Sequence, residues 1–518
     1  MKKFDVIFFC DITDSVAIYQ PLGAAKLAHV LRSHGYSCLV VNHLHTFNET
    51  DFCELIDHCV SDRTKLLGFS GTFLTNIEGI EDVLDPNSEK NFGSMNFNRS
   101  FFPQGKKFED AVIKKIKSVN PNCKIALGGI SQEIQNKNIN FYVAGYAESA
   151  ILNLVNHLSG KEQLNNSRKN IYGITVIDDR NASEYNFAES TMQWLPEDIF
   201  NAKVLPIEIA RGCVFNCTFC SYPMRGKKNL DFVRKPKFIQ AELEENYEKY
   251  GITTYSLMDD TFNDNDEKID ILLEVSKKLK FQPIYWCYAR LDLLSVKKER
   301  LQKMYDLGVR SMFFGIETFH QSAGKIIKKG FDPNKQIDTV IKIRNKYNNE
   351  IMMHGSFIIG LPEEPLDHVR KISNKILSGE IPLHSWRFNP LKIWRSAHKL
   401  WSSDFEKNYQ KYGFIDKDSV VKQNLFDKDH REFINWKTKH TTYDECVQLA
   451  NELNNKGFES NRYHIPNQLA WAFMNYPEFD FKKVSNIKYN KIDWHNISVM
   501  KKTYIIDYKN QLFKFLKS

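Results

Sequence analysis

The stretch Pro206-Ile-Glu-Ile-Ala-Arg-Gly-Cys213-Val-Phe-Asn-Cys217-Thr-Phe-Cys220 decides how this 518-residue chain is read. Its first five residues are strand-like, so the three cysteines open a loop at a strand's carboxyl end. Their CxxxCxxC spacing suits a 4Fe-4S cluster, whose irons are held by cysteine thiolates. Four thiolates would complete such a site, so three leave one iron open to chelate a small molecule. A structural zinc would want a fourth ligand and paired C-x-x-C knuckles rather than an uneven triplet. The plainer reading is three buried cysteines with no metal.

Working outward, apolar runs at Ile207–Ala210, Thr254–Met258, Ile284–Tyr288, Ser311–Gly315, Met353–Ile359 and Ser385–Phe388 read as strands. A helical pattern follows each of the first five. Six strand–helix units fall short of the eight that close a barrel. Upstream, Val6–Cys10, Cys38–Val41, Leu66–Ser70, Ile125–Gly128 and Phe141–Val143 read as strands buried on both faces. They alternate with helix patterns at Leu22–His34, Asp51–Cys59, Phe108–Val119 and Glu148–Leu158. That alternation predicts a doubly wound, Rossmann-like parallel sheet. The aperiodic Glu81–Gly105 reads as a long loop or lid. The expected division is 1–160 for the amino-terminal sheet, 161–203 for a linker with a hairpin at Ile171–Val176, 204–395 for the second α/β unit, and 396–518 for a mostly helical carboxyl-terminal region with a helix at Tyr443–Asn455.

Composition sets the class. Hydrophobic residues at 42% and charged residues at 26% describe an ordinary globular chain, too long for one core. The net charge of +8 is small for this length, and basic runs such as Arg225–Lys228 and Arg234–Lys237 read as solvated surface. No nucleic-acid motif accompanies them, so no nucleic-acid partner is expected. Ten cysteines stand at 10, 38, 53, 59, 123, 213, 217, 220, 287 and 446, and only one trio is clustered, which argues against a disulfide framework and for a reducing compartment. The apolar run after Lys2-Lys3 ends at Asp11, too soon for a signal peptide, and no stretch approaches a membrane span. A cytoplasmic protein is expected.

The cysteine loop resembles the signature of the radical SAM enzymes, in which S-adenosylmethionine (SAM) binds the open iron through its amino and carboxylate groups. The residues at the following strand ends fit that resemblance over roughly 205–390. Phe219 occupies the aromatic position that the family packs near the adenine. Asp259 and Asp260 could accept hydrogen bonds from the methionine ammonium, although Asp260 or Thr261 could equally cap the next helix. Arg290 could grip a carboxylate. Glu317, after Phe313-Phe-Gly315-Ile, could bind both ribose hydroxyls. Gly360, in Gly355-Ser-Phe-Ile-Ile-Gly360-Leu-Pro-Glu363, could let backbone approach a flat ring. The resemblance implies a partial (β/α)6 TIM-type barrel. It also implies reductive cleavage of SAM to methionine and a 5′-deoxyadenosyl radical that abstracts hydrogen from substrate. No nucleophile–base pair is needed for that chemistry, and none stands out.

The first 160 residues resemble the cobalamin-binding domain that precedes the barrel in one large subclass. Pro21-Leu-Gly23 through Gly35-Tyr36 looks like its first helix. Ser70, Gly71, Thr72, Gly128 and Gly129 stand where such domains keep small residues near the nucleotide tail, and Gly145 with Glu148 resembles its G-x-x-E element. In any flavodoxin-like sheet the same residues would be tight turns. One departure matters: domains that ligate cobalt through histidine carry D-x-H-x-x-G after the first strand, and here Asp11-Ile-Thr13-Asp-Ser-Val16 has neither the histidine nor the glycine. That motif therefore supplies no lower ligand.

The resemblance implies a cobalamin-dependent methyltransferase acting at an unactivated carbon of a small-molecule or peptide substrate, reduced by a donor such as flavodoxin or ferredoxin. A cobalamin-independent radical SAM isomerase, cyclase or oxidoreductase is the alternative, and a non-catalytic cluster-bearing binding protein is a third reading. Trp386, Trp394, Trp401 and Trp471 read as core or as pocket lining.

Overall fold

The computed structural model describes residues 2–12, 18–71, 101–129, 136–170, 173–179, 185–200, 202–222, 224–226, 232–330, 332–347, 350–394, 401–417, 434–459 and 494–518. Thr72, Trp471, Thr13–Val16 and most of the expected lid lie outside those residues. The chain divides into two compact units: Met1–Ala202 with His495–Ser518, and Lys203–Ala397 with Trp401–Trp494.

In the first unit, strands β1 (Val6–Phe9), β2 (Cys38–Val41), β3 (Leu66–Ser70), β4 (Lys124–Gly128), β5 (Phe141–Gly145), β6 (Ser167–Lys169) and β7 (Thr175–Asp179) form one sheet in the order β2-β1-β3-β4-β5-β7-β6. All neighbours are parallel except β6 and β7. Alternate residues of each strand enter opposite cores, which is why the strands read as unbroken apolar runs. Val6 and Phe8 pack with Ala24, Ala28 and Leu31 of helix Leu22–Ser33 and with Ile151 and Leu154 of helix Glu148–Leu158. Ile7 and Phe9 face the other way, onto Phe52 and Ile56 of helix Glu49–Cys59 and Val112 and Ile116 of helix Lys106–Val119.

Two segments stand apart from the sequence expectation. The linker hairpin, β6 paired antiparallel with β7, also extends the sheet, since β7 pairs with β5 from Phe141↔Thr175 to Gly145↔Asp179. The helix Trp494–Lys517 belongs with the first unit: Tyr508, Leu512 and Leu516 are buried in the same core as Phe9 and Phe52. The Tyr508 hydroxyl accepts from the Asn42 backbone N–H at 2.8 Å, a hydrogen bond across 466 residues of sequence.

The second unit holds β8 (Val204–Ile207), β9 (Thr254–Leu257), β10 (Ile284–Ala289), β11 (Val309–Glu317), β12 (Met352–Ile359) and β13 (Ser385–Pro390). They form one parallel sheet in sequence order, and its edge strands β8 and β13 do not pair, so the sheet stays open. The intervening helices include Pro236–Tyr250, Asp266–Lys278, Pro333–Tyr347 and Leu366–Ser378. This is the mixed α/β, sequentially wound arrangement expected from the six strand–helix units. The first strand is shifted from its expected place. β8 ends at Ile207 because the next free amides, those of Ile209 and Ala210, donate to the Asp259 carboxylate and not to a neighbouring strand.

Candidate active site

The cysteine loop begins directly after β8 and is held from below by a buried charge cluster. Asp259, past the end of β9, accepts through Oδ1 from the backbone N–H groups of Ile209 (2.9 Å) and Ala210 (3.1 Å). Asp264 accepts through Oδ2 from Val214, next to the first cysteine. Between the two carboxylates lies Lys268, fully buried, with its Nζ 2.5 Å from Asp264, 3.6 Å from Asp259, and donating to the Thr261 carbonyl at 2.7 Å. Burial disfavours the Asp259 carboxylate and raises its pKa, and the Lys268 ammonium opposes that. Lys268 thus keeps two buried anions tolerable, and those anions in turn fix three amides of the loop.

The thiols sit above this base. Cys213 Sγ lies 3.5 Å from the Thr261 hydroxyl, and Cys217 Sγ lies 3.6 Å from an Arg290 guanidinium nitrogen and 3.9 Å from the Lys328 carbonyl. Cys217 is buried, while Cys213 and Cys220 are half-buried. Burial pushes the Cys220 thiol up to about 11 and raises Cys213 as well, so thiolates here require a compensating cation. Among the described residues no group of three or more His, Cys, Asp or Glu converges closely enough to hold a metal ion. An all-sulfur CxxxCxxC trio on one loop suits an iron–sulfur cluster, which is held by cysteine thiolates.

The other expected residues fall into two groups. Arg290 and Asp259 are committed to the scaffold. Arg290 forms a two-pronged pair with Asp292 (Nε–Oδ1 3.0 Å, a second contact at 2.6 Å) and lies 3.8 Å over the Phe215 ring. Its backbone is clamped by Asn263, whose side chain accepts from the Arg290 N–H and donates to its carbonyl. Burial would raise the Asp292 pKa, but the Arg290 guanidinium outweighs it and holds the carboxyl below the usual range. Arg290 thus brings a positive charge to Cys217 with its fork already filled. Asp259, as above, spends Oδ1 on two backbone amides and turns Oδ2 toward Lys268. Gly360 has φ +93°, and a Cβ there would lie 2.4 Å from the Trp436 ring and 2.9 Å from Cys446 Sγ. The flat ring against this glycine is the protein's own.

Phe219, Glu317 and Asp260 form the second group. Glu317 ends β11 after a register shift against β12, with φ +65°, a conformation that costs a non-glycine residue about 1–2 kcal/mol. Such strain is characteristic of functional positions. Its carboxylate pairs with Lys329 at 3.0 Å, and Lys329 Nζ lies 5.8 Å from the centre of the Phe219 ring. Gly315 makes room for this: a Cβ there would lie 2.6 Å from Glu317 Oε1 and 2.8 Å from Lys329 Nζ. Asp260 is raised to about 7, first by burial and then by the charge of Asp259 beside it. Sequence reasoning missed Lys268 and Lys329. Only Lys268 left a local signal, the Asp264/Lys268 spacing of one helical turn.

In the first unit, Gly71 and Gly128 meet at the strand ends, the Gly71 N–H donating to the Gly128 carbonyl at 2.7 Å. Gly129 (φ +76°) and Gly145 (φ +118°) hold backbone that side chains resist. Ser70 closes β3, and Glu148 is buried at the first turn of its helix, where an acid suits the helix dipole.

The second unit is thus an open, sequentially wound parallel sheet with a three-cysteine loop after its first strand, as the resemblance to the radical SAM enzymes implies. Residues 207–376 match the family model described as the radical SAM superfamily. It is 27% identical over 279 residues to an uncharacterized methyltransferase of Pyrococcus horikoshii, covering 50% of this chain and 58% of that one. It is 21% identical over 332 residues to the anaerobic magnesium-protoporphyrin IX monomethyl ester cyclase of Cereibacter sphaeroides, covering 59% and 53% respectively. The chain thus spans little more than half the length of these curated relatives. Among solved structures, TsrM, a radical S-adenosylmethionine methyltransferase from Kitasatospora setae with cobalamin and a 4Fe-4S cluster bound, superposes with a TM-score of 0.63 at 12% identity, over 96% of this chain and 99% of that one. The cobalamin-dependent radical enzyme OxsB, with aqua-cobalamin and S-adenosylmethionine bound, gives 0.57 at 13% identity, over 99% and 78%. Both likenesses speak for the fold, first unit included. Among the described residues, no helix is long and apolar enough to cross a membrane.

Proposed function

We propose that this chain is a cobalamin-dependent radical SAM enzyme that methylates an unactivated carbon. The observation that carries the reading is the cysteine loop on β8, joined in one chain to a doubly wound sheet whose order around β1 is β2-β1-β3. Strand order reverses there, and such switch points are where doubly wound sheets bind ligands.

When bound, the cluster supplies an electron for reductive cleavage of S-adenosylmethionine, and cobalamin supplies a transferable methyl group. The chain's own part is to bind, orient and shield. Cys213, Cys217 and Cys220 would hold the iron. Arg290 sets a fixed positive charge 3.6 Å from Cys217 Sγ. Glu317 and Lys329 offer an acceptor and a donor next to the Phe219 ring, suited to a ribose and an adenine. Asp260, whose charge acts on Cys220, would accept from the methionine ammonium. The bare backbone at Gly71, Gly128, Gly129 and Gly145 suits a bulky nucleotide tail. The acceptor would be a small molecule or peptide, with flavodoxin or ferredoxin as electron donor.

Anaerobic reconstitution with iron, sulfide and hydroxocobalamin tests the reading. Retained cobalamin and S-adenosylhomocysteine formation are expected. Formation of 5′-deoxyadenosine with no retained cobalamin would favour an isomerase, cyclase or oxidoreductase instead. Replacing Cys213, Cys217 and Cys220 together by alanine should abolish the cluster's visible absorbance and all SAM cleavage; persistence of either overturns the assignment.

A further inference from the structure

The sequence lacks the histidine of the cobalt-ligating motif, yet the aspartate of that motif is present and has found another imidazole. Asp11 lies two residues past β1, at the switch point between β1 and β3. Its side chain is fully buried and its Oδ1 receives both the His45 backbone N–H, at 3.1 Å, and His45 Nδ1, at 2.5 Å. His45 comes from the turn after β2, Leu44–Thr46, on the neighbouring strand. The turn is pinned to β1 by the Leu44 N–H donating to the Cys10 carbonyl. Its entry residue, His43, is held at φ +56°. His43 is buried with both ring nitrogens unpartnered among the described residues, edge-on to Tyr504 and Tyr508.

The arrangement at Asp11 is that of a metal-binding histidine and its supporting carboxylate. A carboxylate on Nδ1 fixes the tautomer that leaves the Nε2 lone pair free, orients the ring and makes it a better donor. Nδ1 is engaged here, and no described residue hydrogen-bonds to Nε2. The second Asp11 oxygen, Oδ2, is buried and also lacks a partner among the described residues. Among the described residues no group of three or more protein ligands gathers at the site. A single protein nitrogen suits a metal whose other positions are already filled by a macrocycle.

We infer that His45, supported by Asp11, is the lower axial nitrogen ligand to cobalt, supplied from the β2 turn in place of the missing motif histidine. The inference rests on the cobalamin reading above. The His45 Nε2 lone pair forms the coordinate bond, and the Nδ1 proton stays on the hydrogen bond to Asp11, so no electron or proton leaves the site.

Electron paramagnetic resonance of the full-length protein loaded with cob(II)alamin tests this without turnover. An axial nitrogen splits the cobalt lines into triplets. Protein grown on 15N-histidine should convert them to doublets, which separates histidine from the cofactor's own benzimidazole. His45→Gln should bind cobalamin but lose the nitrogen splitting. Asp11→Asn should keep the splitting while weakening cobalamin binding, about 10–100-fold for a supporting group of this kind. Triplets that ignore the 15N label, or bound cob(II)alamin with no nitrogen splitting in the unaltered protein, would overturn the inference and leave the cobalamin reading standing. Failure of the unaltered protein to retain cobalamin would overturn both.

Discussion

Lys268 holds a charged ammonium wholly out of solvent because Asp259, Asp264 and the Thr261 carbonyl answer it. Replacing it by Met would strand two buried carboxylates, a change that costs about 3–5 kcal/mol when one partner of a buried pair is lost. Lys268→Met should lower the thermal midpoint, and iron retained per chain should fall too, since both aspartates tie down amides of the cysteine loop. Unchanged iron content would show that the loop holds itself. The two strand-end glycines should behave in opposite ways. Gly360→Ala meets a rigid buried indole at a left-handed backbone position, and overpacking of that kind costs about 1–3 kcal/mol, visible as a lowered melting temperature. At Gly315 the obstructing atoms are the far ends of Glu317 and Lys329, which can swing aside. Gly315→Ala should therefore melt nearly as the parent does while SAM affinity, read by calorimetry, drops.

Element by element, the sequence was most informative where strands are buried on both faces. Val6–Phe9 reads as a strand from its unbroken apolar run, and the two cores that receive its alternate residues explain that run. The cysteine spacing is equally local and needed no tertiary information. Lys329 could not be read in this way, because only the fold brings it to Glu317 and Phe219. The helix Trp494–Lys517 lay hidden for the same reason: its polar, aromatic sequence looks unremarkable until Tyr508, Leu512 and Leu516 find partners hundreds of residues upstream. Its contribution can be measured. Leu512→Ala, at a fully buried position, should destabilise the first unit by about 2–5 kcal/mol. Hydrogen exchange in helices Glu49–Cys59 and Lys106–Val119 should then quicken, with the six-stranded sheet unaffected. Equal quickening in both sheets would show that the two units unfold as one.

For the whole molecule, the division into units does not follow the order of the sequence. The six-stranded sheet is an insertion, with residues 1–202 before it and 495–518 after it contributing to one and the same core. A fragment of residues 1–202 should accordingly bind a hydrophobic dye through the apolar face that Tyr508, Leu512 and Leu516 otherwise cover. A synthetic peptide of residues 495–518 should quench that binding; a fragment that binds no dye would contradict the shared core. Read as a timetable of synthesis, this interleaving has a further consequence. At about 5–20 residues per second, a ribosome needs roughly 15–60 s to travel from residue 202 to residue 495. The first unit to leave the ribosome must therefore wait, incomplete, and is the last to close. The nascent amino-terminal sheet is a natural client for a chaperone, and the inserted sheet can finish folding before it.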